Sequence, residues 1–313
     1  MRILVEYGAD VTAQDKDKST PLHLVSACWP GSVGCVGLAR FLLEHGADMT
    51  AQNEHGWTPL HMVSKSSEGH VDLAQLLIEH DANVTAQDNH RSTPLHKASR
   101  CGHLQLVRFL VSHGADATAQ DGRASTPLHQ ASSSGSVDLG KFLLKHGADA
   151  AAKDKNGSTP LHELPVSYPG AVDLAWVLVE HGADVTAQDK HGSTPLHAVS
   201  VIRYGSVGLA QFLVEHGANT MAQDNRESTP LHRVAVSRGR NVRLARFLVK
   251  HGADTTAKNK DGLTPLHTVS AAKGGSVDLA LFLIEHGADT TAQDKQDWTP
   301  LHISKIQPYL LVS

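Results

Sequence analysis

The chain has 313 residues, with 28 Lys and Arg against 32 Asp and Glu, and a formal net charge of −4. This length exceeds the roughly 250–300 residues at which one hydrophobic core stops growing, which predicts several domains or a repeat array. The charge gives no overall signature of a nucleic-acid-binding protein, and no apolar run approaches the roughly 18 residues of a membrane span.

Cysteine is scarce in this chain, and its usage indicates a cellular compartment. Three cysteines in 313 residues cannot staple the fold, so they favour a reducing environment. We expect Cys28, Cys35 and Cys101 to be exposed, reduced thiols in loops. The first residues contain no apolar segment typical of a signal peptide. These features predict a cytoplasmic location, with the nucleus as the alternative.

A tetrapeptide, Thr-Pro-Leu-His, occurs nine times along the chain. Each occurrence marks one copy of a repeated unit, and the copies are numbered one to nine in chain order. It begins at Thr20, Thr58, Thr93, Thr126, Thr159, Thr194, Thr229, Thr264 and Thr299. A second marker, His-Gly-Ala-Asp or a near variant, begins 13 residues before each of them. All variation in length therefore lies between the tetrapeptide and the next Gly-Ala-Asp. This predicts a segment of fixed geometry followed by a loop that tolerates insertion.

Each copy is predicted to contain two helices. Thr before Pro-Leu-His is typical of a helix N-cap, with Pro at the first helical position. In the sixth copy the first helix is predicted from Pro195 to about Val201, and the second over 207–216. The second helix is apolar on two faces, which indicates packing between neighbours in a stack. Gly182 and Gly217 are predicted to end second helices in the left-handed conformation.

The combined pattern, Asp-x-x-Gly-x-Thr-Pro-Leu-His…Leu-Leu-x-x-Gly-Ala-Asp-Val-x-Ala, closely resembles the ankyrin repeat over essentially residues 1–306. The resemblance implies an all-α repeat solenoid of stacked helix pairs with projecting β-hairpin loops, and a concave face lined by hairpins and first helices. It divides the chain into a partial repeat at 1–19, comprising the end of a second helix plus a hairpin, eight ankyrin-type repeats at 20–298, and a truncated or degenerate repeat at 299–313. These ends favour a fragment of a longer polypeptide, with a tail folded back as a cap as the alternative.

The hairpin glycine of this family is present in only four copies, as Gly56, Gly157, Gly192 and Gly262. The other five copies carry Lys18, Arg91, Ala124, Glu227 and Asp297 instead. Because the position favours glycine, the resemblance leaves the usual hairpin-tip turn in doubt in these five copies.

The 22 histidines follow the repeat: nine belong to the tetrapeptide and eight more precede Gly-Ala-Asp or its variants. Residues one copy apart lie roughly 10 Å apart in a helical stack, too far to share a Zn²⁺ bound at about 2.0–2.1 Å. We therefore predict no metal site and no cofactor. Structural roles are predicted for Thr58, Pro59, His61, Thr194, Pro195 and His197. If these imidazoles are buried and neutral, their pKa lies below about 6.5.

No grouping of Ser, His and Asp, and no zinc motif, stands apart from the repeat. The segment 135–141 has the spacing of a phosphate-binding loop, but it lacks the following Ser or Thr and a preceding strand. The chain is therefore predicted not to be an enzyme.

Positions that break the repeat are candidates for partner binding. Directly before the tetrapeptide, where most copies have Ser, three copies carry Trp57, Leu263 and Trp298. In the family this site faces the concave surface, where Trp is a natural hot spot; an indole lying on its own hairpin is the alternative. The residue after the tetrapeptide differs in every copy, which predicts a surface site that sets partner choice. The candidates there are Lys97, Glu163 and Arg233.

Basic residues are concentrated between positions 226 and 250. The predicted basic patch consists of Arg226, Arg238, Arg240, Arg243, Arg246 and Lys250. Such a patch suits an acidic or phosphorylated segment of a partner, with a solvated face as the alternative.

The favoured function is a non-catalytic protein–protein interaction scaffold that binds another protein on its concave surface. Neither nucleic acid as the main partner nor membrane insertion is expected. The alternative is a regulatory or targeting ankyrin segment of a larger enzyme or signalling NTPase, whose catalytic domain lies outside this chain.

Overall fold

The computed structural model describes residues 2–27, 34–67, 69–164, 170–201, 207–236, 241–272 and 276–306. Within these ranges the regular structure is helical, with seventeen α-helices, one 3₁₀ helix and no β-strand. The chain forms two compact units, Met1–Lys155 and Asn156–Ser313. All helices of the described residues are short, with five to ten residues in each α-helix.

The helices of the first unit are α1 (Arg2–Glu6), α2 (Pro21–Ser26), α3 (Cys35–Glu44), α4 (Pro59–Lys65), α5 (Val71–Glu79), α6 (Pro94–Cys101), α7 (Leu104–Ser112), α8 (Pro127–Ser134) and α9 (Val137–Lys145). The second unit begins with the 3₁₀ helix Pro160–Glu163. Its α-helices are α10 (Ala171–Glu180), α11 (Pro195–Val201), α12 (Val207–Glu215), α13 (Pro230–Val236), α14 (Val242–Lys250), α15 (Pro265–Ala271), α16 (Val277–Glu285) and α17 (Pro300–Ile306).

First helices begin where the sequence places their N-caps. Thr58 has extended backbone dihedrals, φ −86° and ψ 167°, and Pro59 occupies the first helical position, where no intrahelical N–H is needed. The predicted bounds in the sixth copy are confirmed for α11, and α12 ends one residue earlier than predicted.

The fifth copy departs from this pattern, because its first helix is a single 3₁₀ turn of four residues. Leu164, which ends this turn, is extended, with φ −61° and ψ 129°. The next residue in the sequence is Pro165, and a residue before proline is sterically driven out of the helical region. The local sequence therefore shortens this helix.

Second helices end at a glycine with a left-handed backbone, except α5, where Asp81 has φ 69°. Gly182 has φ 91° and Gly217 has φ 99°. After α10 the amide of Ala183 donates to the carbonyl of Leu178 at 3.0 Å, and Gly182 donates to Val179 at 3.0 Å. This pair of bonds satisfies two of the carbonyls that a helix end leaves without a partner.

Each unit is a stack of two helical layers. In the first unit α2, α4, α6 and α8 pack in succession, as do α3, α5, α7 and α9. In the second unit α11, α13, α15 and α17 form one layer, and α10, α12, α14 and α16 the other. The core between the layers is rich in leucines that are at most 3% exposed. From the first helices these are Leu22, Leu60, Leu95, Leu128, Leu196, Leu231 and Leu266, and from the second helices Leu73, Leu106, Leu139, Leu174, Leu209, Leu244 and Leu279.

The loops that precede the first helices are hairpin-like turns without paired strands in the described residues. Asp88 holds one of them: its Oδ1 accepts the amides of His90 and Ser92, both at 2.8 Å. Neighbouring loops are joined by single backbone bonds, such as Asn89 to His55 at 3.1 Å and Asn225 to His191 at 2.8 Å. One such bond between loops does not make a strand ladder, since a ladder repeats its bonds along the strands.

The expectation of a doubtful turn in the copies that lack the hairpin glycine is wrong. The five replacement residues have φ of 57–59°, close to the 72–79° of the four glycines. In the seventh copy Asp224 Oδ1 accepts the amides of Arg226 and Ser228 and its carbonyl accepts that of Glu227, the same bonds that Asp189 makes in the sixth copy, which has the glycine. These bonds hold Glu227 in a region that costs roughly 1–2 kcal/mol for a residue with a Cβ.

The expectation of three reduced thiols is wrong for Cys35, which is disulfide-bonded. An odd number of cysteines excludes complete pairing, but it does not exclude one disulfide. Cys101 is a free, exposed thiol at the end of α6. Cys28 lies outside the described residues.

Candidate functional site

The tetrapeptide histidine links its helix start to the following copy. His61 Nδ1 lies 3.2 Å from the amide nitrogen of Thr58 and 2.9 Å from its Oγ1. Its Nε2 lies 3.0 Å from the carbonyl oxygen of Ser92 in the next copy. Because the Thr58 amide donates to Nδ1, that nitrogen carries no proton and Nε2–H donates to Ser92. The same arrangement occurs at His96, His197 and His232.

These contacts and burial keep the histidine neutral. Desolvation lowers the pKa of His61 to about 4, because burial disfavours the imidazolium ion. The same cause lowers the pKa of His23, His96, His197 and His232. With both ring nitrogens bound to the backbone, His61 is a structural residue. No group of three His, Cys, Asp or Glu among the described residues is placed to hold a metal ion.

A second repeated feature is an Asp or Asn five residues before each tetrapeptide. In chain order these are Asp15, Asn53, Asp88, Asp121, Asp154, Asp189, Asp224, Asn259 and Asp294. One side-chain oxygen holds the loop, as described for Asp88 and Asp224. The surroundings of the other oxygen depend on the residue that follows the tetrapeptide.

In the third copy this carboxylate is closed by a lysine. Lys97 Nζ lies 2.8 Å from Asp88 Oδ2, and Trp57 Nε1 donates to the same oxygen at 3.0 Å. The Asp88 side chain has no exposed surface. Lys65 Nζ lies 4.1 Å from the centre of the Trp57 ring, and Lys97 Nζ lies 5.3 Å from it. Two predicted binding residues, Trp57 and Lys97, are thus brought together, and both are bound to Asp88.

In the seventh copy an arginine closes the carboxylate. The Arg233 guanidinium binds Asp224 Oδ2, and the Asp224 side chain is 1% exposed. Desolvation alone raises the pKa of Asp224, but hydrogen bonds from Ser228, Arg226 and Arg233 outweigh it and lower the pKa. The same balance lowers the pKa of Asp88, where desolvation is outweighed by Lys97 and the backbone amides. Both carboxylates are therefore stably ionised and internally paired.

The sixth copy leaves its carboxylate open. Asp189 Oδ1 accepts the amides of His191 and Ser193, both at 2.8 Å, but the residue after the tetrapeptide is Ala198. Asp189 is only half-buried, whereas Asp88 and Asp224 are each 5% exposed as whole residues. A groove of about 560 Å³ lies here. It is lined by loops and first helices of the fifth, sixth and seventh copies, including Glu163, Asp189, His191, Ala198, Arg226 and Arg233.

The other candidates before the tetrapeptide lie outside the lining of this groove. Leu263 is half-buried, and its carbonyl accepts from His232 Nε2 at 3.0 Å. Trp298 is 43% exposed, its amide donates to Asp294 Oδ1, and its carbonyl accepts from His267 Nε2. The backbones of both residues thus serve the repeat, while the Trp298 side chain remains accessible.

The basic segment is divided between two elements. Arg226 lies in a loop and lines the groove with Arg233. Arg243, Arg246 and Lys250 are exposed on α14, where the Arg246 guanidinium lies 5.0 Å from the centre of the Phe282 ring of α16. The α14 residues do not line the groove. Arg238 and Arg240 lie outside the described residues.

The model of the family "Ankyrin repeats (3 copies)" matches residues 1–88, 27–121, 95–189, 166–259 and 233–307. The chain belongs to the ankyrin-repeat family. A search of the curated proteins finds no match to this ankyrin-repeat chain. No helix in the part of it that the structure describes is long and apolar enough to cross a membrane.

Sequence reasoning missed the loop carboxylate of this ankyrin-repeat protein as a determinant of its surface. Lys97 and Arg233 were predicted from their variability to face a partner, but each is bound to a carboxylate nine residues earlier. The signal was present in the sequence, as an Asp and a basic residue at fixed positions of one copy. The same comparison identifies Ala198 as a position where the basic residue is missing.

Proposed function

We propose that this ankyrin-repeat protein is a non-catalytic scaffold that binds a partner protein on the surface formed by its loops and first helices. Ankyrin repeats generally mediate protein–protein interaction. The observation that carries the proposal is the groove in the second unit. Loops and first helices of three successive copies line it with Glu163, Asp189 and Arg226, and its volume is about 560 Å³.

The division between fixed and variable residues supports this role. The histidines with both ring nitrogens bound to the backbone build the frame, and they are 1–2% exposed at His61, His96 and His197. The residue after the tetrapeptide changes from copy to copy and lies at the groove in Glu163, Ala198 and Arg233. A constant frame with variable surface residues is typical of a protein that recognises a partner. It is not typical of a protein that carries out the same chemistry in every copy.

The exposed basic residues of α14 favour a second contact surface. Arg243, Arg246 and Lys250 are the only charged residues of this helix, so it presents a net positive face. Guanidinium groups bind carboxylate and phosphate oxygens in a bidentate manner. We propose that an acidic or phosphorylated segment of the partner binds there.

The two surfaces are tested by peptides selected from a random displayed library on the immobilised full chain. We expect the selected peptides to slow amide hydrogen exchange in the loops around 189–193 and 224–228. Arg226→Glu in the groove and Arg246→Glu on α14 form a matched pair of exposed charge reversals. A groove peptide changes affinity only with the first change, and a peptide bound to α14 loses affinity only with the second. Failure to select any peptide that protects either surface would overturn the proposal.

A further inference from the structure

The sixth copy contains a half-buried carboxylate, that of Asp189. The residue after its tetrapeptide is Ala198, which has no charge. Lys97 and Asp88, and Arg233 and Asp224, are each nine residues apart, the separation that also joins Ala198 and Asp189. Since the frame of these copies is the same, a long basic side chain at 198 would reach Asp189. Alanine ends at Cβ, and the space that remains is part of the groove.

We propose that Asp189 binds a lysine or arginine side chain from an extended segment of the partner protein. The partner's side chain binds Asp189 in the way that Lys97 binds Asp88 and Arg233 binds Asp224. The inference rests on the proposed function, because it identifies the partner chemistry of that same groove.

The internal ion pairs show which chemistry this position accepts. An ammonium group binds the equivalent carboxylate in the third copy, and a guanidinium group binds it in the seventh. Both groups donate to Oδ2, while Oδ1 remains bound to the loop amides. Asp189 has the same two amide bonds on Oδ1, so its Oδ2 has the orientation that the paired copies use.

The charged groups around the groove fit this assignment. Glu163 lines the same groove and adds negative potential, while the Arg233 guanidinium is already bound to Asp224. Arg226 also lines the groove and suits an acidic residue beside the basic one in the partner segment. A charge-assisted hydrogen bond in a partly buried groove is stronger than the same bond in open solvent.

The chain offers a variant that removes the charge without disturbing the loop. Asn53 holds its loop through Oδ1, which accepts the amides of His55 and Trp57 at 3.0 Å, and Asn259 does the same. Asp189→Asn therefore keeps the loop bonds and removes only the negative charge. Asp121→Asn in the fourth copy is the matched control, because it makes the same change away from this groove.

The direct test is a titration of the full chain with Nα-acetyl-arginine methylamide and with the equivalent citrulline compound, its neutral analogue. The readout is the chemical shift of the backbone amides of His191 and Ser193. We expect saturable shifts with the arginine compound and at least about tenfold weaker binding of the citrulline compound, typical of the loss of a charge-assisted bond. Asp189→Asn and Ala198→Lys abolish these shifts, and Asp121→Asn retains them. Equal binding of both compounds, or shifts unchanged in Asp189→Asn, overturns the inference.

The peptide library separates this inference from the proposed function. Selected groove peptides are expected to share one Arg or Lys and to bind Asp189→Asn at least about tenfold more weakly. Groove peptides without a basic residue, and with unchanged affinity for Asp189→Asn, contradict the carboxylate site but leave the scaffold function intact. Absence of any groove peptide also contradicts the carboxylate site, and absence of a peptide on both the groove and α14 contradicts the scaffold function itself. Thermal unfolding of each variant verifies that it is folded.

Discussion

The third and sixth copies of the repeat have the same frame but different surfaces. Both bury a neutral histidine, His96 or His197, whose Nε2 binds the next copy. They differ after the tetrapeptide, where Lys97 closes the loop carboxylate of one copy and Ala198 leaves that of the other open. In the third copy Lys97 and Trp57 thus pair the carboxylate within the fold, whereas in the sixth copy the carboxylate faces the groove.

Low pH is expected to destabilise the frame that both copies share. Of the changes considered for these copies, it should lower the free energy of unfolding most. The folded-state pKa of these histidines is lowered, so below pH 6.5 the unfolded chain takes up protons that the folded chain does not. Stability is complete above the unfolded value and is lost as pH falls towards about 4, the pKa of His61. His61 alone contributes roughly 3 kcal/mol to this loss.

Urea unfolding at pH 7.5 and pH 5 measures this dependence. The interval lies above the range in which the aspartates titrate, so it isolates the histidines. His61→Gln, which removes one frame imidazole, should lessen the dependence. An unfolding free energy that is constant between the two pH values would show that the frame histidines are not neutral.

Lys97→Ala converts the third copy to the arrangement of the sixth. It leaves the Asp88 side chain, which has no exposed surface, without its cation. We expect a loss of about 2–3 kcal/mol, below the range for fully buried pairs because the Lys97 side chain keeps 18% exposure. Urea unfolding measures it. Adding Asp88→Asn should recover part of the loss, since a buried Asn occupies this position at Asn53; no recovery would mean that the unpaired charge is not the cause.

Substitutions in the hairpin turns of the two copies are expected to change stability in opposite directions. Gly192→Ala places a Cβ 2.7 Å from Asn225 Oδ1 at φ 72°, and we expect it to cost about 1–2 kcal/mol. Arg91→Gly relieves a left-handed non-glycine residue at φ 58° and should add about 0.5–1 kcal/mol. Melting temperatures of the two variants measure this contrast. Shifts in the same direction would show that the two turns are not equivalent.

Ala198→Lys converts the sixth copy to the arrangement of the third and has the smallest expected effect on stability. The new ion pair with the half-buried Asp189 should add about 0.5 kcal/mol, typical of a partly exposed pair. Urea unfolding in low and high salt measures the gain, and salt should reduce it. Ala198→Met, which fills similar space without charge, is the control. An equal gain in both variants would assign the effect to packing.

The helix positions were predictable from sequence because their signals are local. Pro195 fixes the start of α11, and Gly217 ends α12, whatever the rest of the chain does. The turn at Glu227 was not predictable from the same kind of signal. Its left-handed backbone is held by the bonds to the loop Asp that the glycine copies also have, and the turn keeps this backbone with a Cβ present.

The candidate site was predictable only in part, because it depends on pairs of residues. Variability identified Lys97 and Arg233 as surface positions, but it did not show that Asp88 and Asp224 hold them. The groove lies where the small residue Ala198 stands between the longer side chains of Glu163 and Arg233. The importance of Ala198 becomes clear only when the sixth copy is compared with the copies whose carboxylate is paired. Such contacts join residues nine apart, beyond the reach of helix and turn signals.

The bond from a tetrapeptide histidine such as His197 to a carbonyl of the next copy gives a stack of copies a direction. A copy that loses its successor loses the acceptor of this N–H, which then faces water, as His302 does in the last described copy. A copy that loses its predecessor keeps a carbonyl oxygen that no longer accepts this bond. Shortening a unit from its carboxyl-terminal side therefore removes the acceptor of a tetrapeptide histidine, whereas shortening it from its amino-terminal side removes the donor.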